Sequence, residues 1–121
     1  MQRREAVFVF GSNHAGRHGK GAAKEAEAKY GAKRGQGEGL AGRSYGVPTK
    51  DAKLRTLTLD EVRAHVERFM EFARERQDLV FAVTRVGCGL AGFRDEDIAP
   101  LFANSPRNCE LPREWLKMVG R

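Results

Sequence analysis

The chain has 121 residues, of which 40% are hydrophobic, and this length and composition predict one folded domain (residues 1–121) and exclude a disordered chain. Its net charge of +6 favours a partner that carries phosphate, although a solvated basic surface would give the same charge. Two cysteines are too few for a disulfide framework or a four-ligand zinc site, and no segment has the length of a secretory signal or a membrane span, so we expect a cytoplasmic domain that has no metal, cofactor or membrane partner.

The first half of the chain predicts a strand, a glycine-rich turn and a helix. Residues 5–10 (EAVFVF) are apolar at consecutive positions, which is typical of a parallel strand covered on both faces. The following NHAGRHGKGAA stretch (residues 13–23) contains more glycine than a simple chain reversal needs. Residues 21–31 are rich in alanine and end at Gly31, which predicts a helix with a glycine cap. Residues 32–44 contain four glycines and are predicted as loop.

The next segment predicts an extended stretch and the clearest helix. Residues 45–57 are predicted as extended, with Pro48 at a strand end or edge because proline has no N–H to donate. Residues 58–77 predict a helix that begins with a capping box formed by Thr58 and Glu61. One face of this helix carries an apolar stripe, which consists of Val62, Val66, Phe69, Met70 and Ala73.

The last part of the chain continues the alternation of strand and helix. Residues 78–87 predict a second buried strand, and CGLAGF (residues 88–93) follows it as a second glycine-rich turn. A short helix is predicted over residues 94–102, and a final helix or strand over residues 111–119. This order predicts an α/β fold in which helices cover a mostly parallel sheet.

Both glycine-rich turns are expected beyond the carboxyl ends of strands, where open parallel sheets bind ligands. We name them the first glycine turn (residues 16–21) and the second glycine turn (residues 87–92). Glycine lets backbone N–H groups approach a phosphate closely, and a helix N-terminus adds partial positive charge. We therefore expect the amides of residues 19–23 and 87–92 to face one cleft that holds a diphosphate; the alternative is that both are only tight turns. The GRHGKGAA stretch of the first turn matches neither a nucleoside triphosphatase loop nor the dinucleotide fingerprint.

The residues of these turns resemble a known family. The stretch SNHAGRHGKGAAKEAEAKYG (residues 12–31) contains an asparagine, Asn13, then a GRHGKGAA turn, a helix and a Tyr–Gly pair. PTK follows at residues 48–50, and RVGCGLAGF at residues 85–93. In this order and separation, over roughly residues 7–102, these motifs are similar to those of macro domains, in particular the branch of the DNA ADP-ribosyl glycohydrolase antitoxins and the related terminal ADP-ribose–protein glycohydrolases.

The resemblance implies a three-layer α/β/α fold that binds ADP-ribose or a related nucleotide. It implies catalytic roles for Lys50 and Asn13 near the anomeric carbon, and a partner that is ADP-ribose or an ADP-ribosylated macromolecule, including modified nucleic acid. The implied ligand-binding positions are Gly16, His18, Gly19, Lys20, Gly21, Ala22, Thr49, Gly87, Cys88, Gly89, Leu90, Ala91 and Gly92.

The sequence departs from the family pattern in two places. Only about ten residues precede Asn13, where macro domains carry another strand or two, so we expect a sheet trimmed at the N-terminus or an edge strand supplied by the C-terminal segment or a second subunit. Ala91 stands where the terminal ADP-ribose glycohydrolases have a catalytic aspartate, and the nearest acids (residues 95–97) begin the next helix. The DNA-directed branch relies on lysine and asparagine, so Lys50 and Asn13 fit that branch better.

Each candidate side chain also has a plainer interpretation. Asn13 could brace a turn, and Lys50 could be a solvated loop lysine. His18 could lie on the surface or touch phosphate, and His14 could assist proton transfer or be exposed. Cys88 is expected to fill a tight turn rather than to act as a nucleophile. Three arginines could meet phosphate or solvent: Arg43, Arg55 and Arg85.

Three functions from different classes follow from these observations. The first is an ADP-ribosyl hydrolase that acts on a modified nucleobase or protein side chain. The second, ranked slightly lower, is a non-catalytic module that sequesters ADP-ribose or a cyclic relative. The third is a basic nucleic-acid-binding protein, which is least favoured because the chain has no series of stacking aromatics and its basic residues alternate with acids.

Overall fold

A computed structural model describes residues 6–121, which form a five-stranded mixed sheet and the helices that pack on it. The strands are β1 (Val7–Asn13), β2 (Gly39–Ala41), β3 (Ser44–Lys50), β4 (Phe81–Val83) and β5 (Cys109–Glu110). The helices are α1 (Gly21–Lys29), α2 (Leu59–Glu75), α3 (Asp95–Ile98), which continues into a 3-10 turn (Ala99–Phe102), and α4 (Arg113–Leu116). Within these residues no helix is long and apolar enough to cross a bilayer.

Strand β1 lies at the centre of the sheet, whose order is β2-β3-β1-β4-β5. It pairs in parallel with β3 on one side and with β4 on the other, and only β2 runs antiparallel to its neighbour. Successive side chains of a strand point to opposite faces of the sheet. Val7 and Val9 therefore join the core beneath α2, while Phe8 and Phe10 pack with the α1 alanines on the other face. This two-sided burial explains why β1 is apolar at consecutive positions.

Helix α2 supplies most of the larger core, as its sequence predicts. The five apolar residues of its predicted stripe are all buried. Phe69 lies at the centre, with its ring 5.1 Å from that of Tyr45 and 5.4 Å from that of Phe81 between ring centroids. The capping box is confirmed: the Thr58 hydroxyl accepts a hydrogen bond from the Glu61 N–H at 3.2 Å, and the Glu61 carboxylate accepts one from the Thr58 N–H at 2.9 Å.

Several predicted boundaries in the first half are wrong. Strand β1 runs on to Asn13, so this residue ends the strand instead of standing in the turn after it; the predicted start at Glu5 lies outside the described residues. The predicted loop over residues 32–44 contains β2, a short strand that pairs back on β3. The placement of Pro48 at an edge is confirmed: it lies within β3, but β2 pairs only as far as Gly46, so this part of β3 is an edge.

The second half differs in the length of its strands. Only Phe81–Val83 of the predicted strand over residues 78–87 forms β4, because the chain turns after it. Strand β5 escapes sequence analysis, since two residues are too short to show a period. It pairs in parallel with β4, and thus the C-terminal segment supplies an edge strand, one of the expected alternatives. The predicted final helix is the single turn α4.

The strand order creates a crevice at the carboxyl end of β1. From β1 the chain passes through α1 to β3 on one side, and from β3 through α2 to β4 on the other side. Helix α1 follows β1 and helix α3 follows β4, and the two helices pack on opposite faces of the sheet, so the loops after β1 and β4 diverge. Such a switch point is where open α/β sheets bind ligands.

Replacing Thr58 tests the start of α2. Thr58→Ala removes the hydroxyl that accepts the Glu61 N–H, and we expect the free energy of unfolding to fall by about 1 kcal/mol. Urea unfolding followed by circular dichroism measures the change. Thr58→Ser keeps the acceptor and should unfold nearly as the wild type does; equal losses in both variants would contradict the capping assignment.

Candidate functional site

A cleft of about 750 Å³ lies at the carboxyl ends of β1, β3 and β4. Its floor includes Gly11, where a Cβ atom would lie 3.1 Å from the backbone nitrogen of Gly87. Glycine at this position therefore lets the second glycine turn come against β1. The two glycine turns line the same cleft, as the sequence predicts.

Several residues that line the cleft have backbone N–H groups without a partner in the described part of the chain. Helix α1 begins at Gly21 without a side-chain cap. Among residues 6–121, no protein group accepts a hydrogen bond from the N–H groups of residues 19–23, of Gly87 or of residues 89–91. Unpaired N–H groups at a helix start and in a glycine turn are groups with which proteins bind anions.

The charged side chains of the cleft have one sign. Counted over residues 6–121, its lining contains four cationic residues and no Asp or Glu, the cations being Arg17, Lys20, Lys50 and Arg85. Within the described part of the chain the first three have no ion-pair partner, whereas Arg85 pairs with Asp95. The side chains thus reinforce the preference of the backbone for an anionic ligand.

Asn13 and Lys50 are brought together by the pairing of β1 with β3. They are register partners at the carboxyl ends of the two strands, and the Lys50 carbonyl accepts a hydrogen bond from the His14 N–H at 3.0 Å. Lys50 is half-buried and lines the cleft beside Thr49, whose hydroxyl donates to the Ser12 carbonyl at 3.3 Å. The two residues named as catalytic candidates therefore share one end of the cleft.

The Asn13 amide also braces the turn that follows it. Its Oδ1 accepts from the Arg17 N–H at 3.0 Å, and its Nδ2 donates to the Arg17 carbonyl at 2.8 Å. One N–H of Nδ2 remains for a ligand, because an amide carries two. The bracing role that the sequence left open is thus real, and it coexists with a place in the cleft wall.

Three of the implied ligand-binding residues do not line the cleft: Gly16, His18 and Gly92. Gly16 has a φ of +68°, and a Cβ there would lie 2.4 Å from the Gln36 nitrogen, so packing explains this glycine. His18 is only 5% exposed, with its Nε2 3.0 Å from the Lys33 carbonyl oxygen, and the expectation of a surface position is wrong. Gly92 has a φ of +86° and closes the second glycine turn by donating to the Gly89 carbonyl.

His14 belongs to a separate cluster outside the cleft lining. Its exposed ring packs against the buried ring of His65 in α2, with 5.0 Å between ring centroids. His65 Nδ1 lies 2.8 Å from a Glu38 carboxylate oxygen, and Arg68 donates to the same carboxylate. The pKa of Glu38 is lowered by these two partners although burial opposes them. The cluster fastens α2 to the loop before β2.

Asp95, the first of the three acids that follow the second glycine turn, is held by structural partners. Arg85 donates to both of its carboxylate oxygens, at 2.9 and 2.7 Å, and the indole N–H of buried Trp115 donates at 2.7 Å. These hydrogen bonds lower the pKa of Asp95 to about 2. Burial, followed by the hydrogen bond to Asp95, raises the pKa of the Cys88 thiol to about 12, so Cys88 is a protonated thiol at neutral pH.

Several lining residues were missed by sequence reasoning: Gly11, Ser12, Arg17, Leu54 and Thr84. Gly11 and Ser12 would have been found had β1 been extended to Asn13. No feature of the sequence indicated a role for Leu54, which has a φ of +65°. Leu54 and Leu90 lie at the mouth of the cleft, where they are 40% and 64% exposed. The Thr56 hydroxyl donates to the Ala91 carbonyl at 2.9 Å and so joins the loops that present these two leucines.

Comparison with known proteins identifies the fold alone. No family model matches the chain, and no curated protein matches it. Among solved structures, the chain is similar to a protein of unknown function from Bacteroides thetaiotaomicron, with 17% sequence identity and a TM-score of 0.59 over 88% of this chain and 85% of that one. The likeness supports a general α/β fold with a mostly parallel five-stranded sheet.

Alkylation tests the state of the Cys88 thiol. Because its pKa is raised to about 12, little thiolate exists at pH 7, and iodoacetamide should label Cys88 far more slowly than a free cysteine. The rate should keep rising with pH beyond 9, as the thiolate fraction grows. Peptide mass spectrometry measures the label, and the urea-unfolded chain is the control. Rapid labelling of the folded protein at pH 7 would contradict this assignment.

Proposed function

We propose that this chain is a macro-type domain that binds ADP-ribose, or a related nucleotide with a diphosphate, and hydrolyses an ADP-ribosyl linkage. One observation carries the proposal: within residues 6–121, both glycine turns contribute lining residues whose backbone N–H groups have no protein acceptor, and the charged side chains of the same lining are all cationic. Two such loops can hold both phosphates of a diphosphate. The motif resemblance and the general α/β fold agree with the proposal.

The dimensions and the mouth of the cleft suit a nucleotide. Its volume of about 750 Å³ falls within the range of roughly 300–1,000 Å³ that small-molecule sites occupy. Leu54 and Leu90 expose apolar side chains at its mouth, where they offer a surface to a nucleoside. The anionic and apolar parts of a nucleotide thus each have a matching wall.

The pairing of Asn13 with Lys50 supports a hydrolytic role. Hydrolysis breaks the bond from the anomeric carbon to the leaving atom; the hydroxyl of a water molecule goes to that carbon and the remaining proton to the leaving atom. Within residues 6–121 the Lys50 ammonium has no hydrogen-bond or ion-pair partner, so it is available as a charge partner or proton donor and, once deprotonated, as a base or transient nucleophile. The remaining N–H of the Asn13 amide would hold a ribose hydroxyl.

A second candidate, a binder that sequesters the nucleotide without cleaving it, is favoured by the absence of an acid. No carboxylate lines the cleft among the described residues, and the Ala91 position lacks one. Asp95 is occupied by Arg85 and Trp115. An oxocarbenium-like transition state would therefore find no carboxylate to stabilise its positive charge.

Two measurements separate these candidates. The chain is incubated with ADP-ribosylated DNA and with ADP-ribosylated protein, and free ADP-ribose is titrated by calorimetry. Release of ADP-ribose supports the hydrolase, and binding without release from either conjugate supports the binder. Failure to bind ADP-ribose together with failure to release it would overturn both candidates.

Lys50→Ala should abolish turnover while ADP-ribose affinity stays largely intact. Backbone amides would supply most of the ground-state affinity, and a side chain near the anomeric carbon acts chiefly on the transition state. Single-turnover kinetics and calorimetry measure the two effects. Lys50→Arg should also be inactive, because a guanidinium cannot act as a base or nucleophile at neutral pH. Full activity in Lys50→Ala would show that the role inferred from PTK is wrong.

The salt dependence of binding distinguishes a nucleotide cleft from a nucleic-acid surface. A diphosphate held mainly by backbone amides releases few counterions, so ADP-ribose affinity should fall only mildly between 50 and 200 mM salt. A protein that makes six or more contacts to duplex phosphates would lose on the order of a thousandfold over that interval. Calorimetry at several salt concentrations gives the slope. A steep slope, with duplex DNA preferred to ADP-ribose, would favour a nucleic-acid-binding protein.

A further inference from the structure

Arg85 lies between the end of β4 and the second glycine turn, and it lines the cleft. It differs from the other three cations of the cleft because its side chain is already oriented. Its Nε and Nη2 groups donate to the two carboxylate oxygens of Asp95. Within residues 6–121 the Nη1 group donates to no protein acceptor.

Asp95 is in turn held in place by a residue of the hydrophobic core. The indole of Trp115, in α4, is fully buried and donates its N–H to Asp95 Oδ1 at 2.7 Å. The Trp115 ring packs on Phe102, with 5.2 Å between ring centroids, so it has little freedom to move. The chain of contacts from Trp115 through Asp95 to Arg85 thus fixes a guanidinium beside the cleft.

We propose that Arg85 is an anion-binding residue of the cleft, and that Asp95 and Trp115 are the positioning residues that orient it toward a phosphate. A guanidinium presents its donors in a rigid plane, so that pairing along one edge with a carboxylate leaves Nη1 for a phosphate oxygen. The ligand class is a diphosphate, and in that respect the inference rests on the proposed function. A purely structural role, in which the ion pair only closes the turn, is the competing account.

Charge and orientation predict opposite results for Asp95→Asn. The substitution removes a negative charge next to the cleft, and charge alone would make anion binding tighter. The asparagine Oδ1 still accepts the Trp115 N–H, but the two-point ionic pairing that orients Arg85 is lost. We expect weaker binding of an anion, because orientation outweighs the added charge.

The experiment titrates inorganic pyrophosphate, and separately ADP-ribose, by calorimetry, and follows thermal unfolding of each variant by circular dichroism. Arg85→Ala should weaken the binding of both ligands about tenfold, the loss expected for a charge-assisted hydrogen bond. The affinity of Arg85→Lys for both ligands should lie between those of wild type and Arg85→Ala. An ammonium that pairs with Asp95 keeps the positive charge but has no second set of donors fixed in a plane toward the ligand. Arg76→Ala is the matched control, because Arg76 pairs with Asp78 through the same two nitrogen atoms and does not line the cleft.

The outcomes separate this inference from the proposed function. Weaker binding of pyrophosphate in Arg85→Ala, Arg85→Lys and Asp95→Asn, at an unfolding temperature similar to that of Arg76→Ala, supports the inference. If ADP-ribose binds equally well to wild type and the Arg85 variants, or more tightly to Asp95→Asn, the inference fails while the proposed function stands. If pyrophosphate binds and depends on Arg85 but ADP-ribose does not bind, the proposed function fails instead. If the wild-type protein binds neither ligand, both the inference and the proposed function are overturned. If Arg85→Ala does not fold, the binding of pyrophosphate by Arg85→Lys is the test of the inference.

Discussion

The parallel pairing of β1 with strands on both of its sides is the constraint on which the rest of the structure depends. A strand in this position must bury both faces, and the alternation of Val and Phe side chains along β1 meets that requirement with α2 below and α1 above. The same pairing leaves the loops after β1 and β4 side by side but directed to opposite faces. The cleft is thus a consequence of the strand order, and the glycines determine how closely its walls approach.

Backbone groups and side chains make different contributions to this cleft. The N–H groups of the two glycine turns supply donors whose positions are set by main-chain geometry, and these are insensitive to rotamer changes. The four cationic side chains add positive charge, and strand register brings Lys50 beside Asn13. In the proposed function, recognition of an anion and positioning of a reactive pair would therefore both depend on the same parallel sheet.

The features that were predicted correctly from the sequence are those that follow a regular local pattern. The α2 stripe and its cap have a helical period and a fixed spacing, and β1 has an uninterrupted apolar run, so both were predictable. Residues that act through distant contacts were not. The burial of His18 depends on Phe10 and on the Lys33 carbonyl, and the fixing of Asp95 depends on Trp115, twenty residues further along the chain. Leu54 reaches the cleft by a left-handed backbone turn that has no signature in its neighbours.

Helix α1 has no side-chain N-cap, and this links ligand binding to the stability of the helix. Lys20 stands at the N-cap position and its side chain accepts no N–H, so the first turn of α1 lacks the hydroxyl or carboxylate that usually caps a helix. An anion bound in the cleft would act as the missing cap, because it would accept N–H groups of residues 21–23 and offset the positive end of the helix dipole. Filling the cleft and completing this helix would then be a single equilibrium. Amide hydrogen exchange in the first turn of α1 would slow in proportion to occupancy, which provides a readout of binding that needs no knowledge of the chemistry that follows.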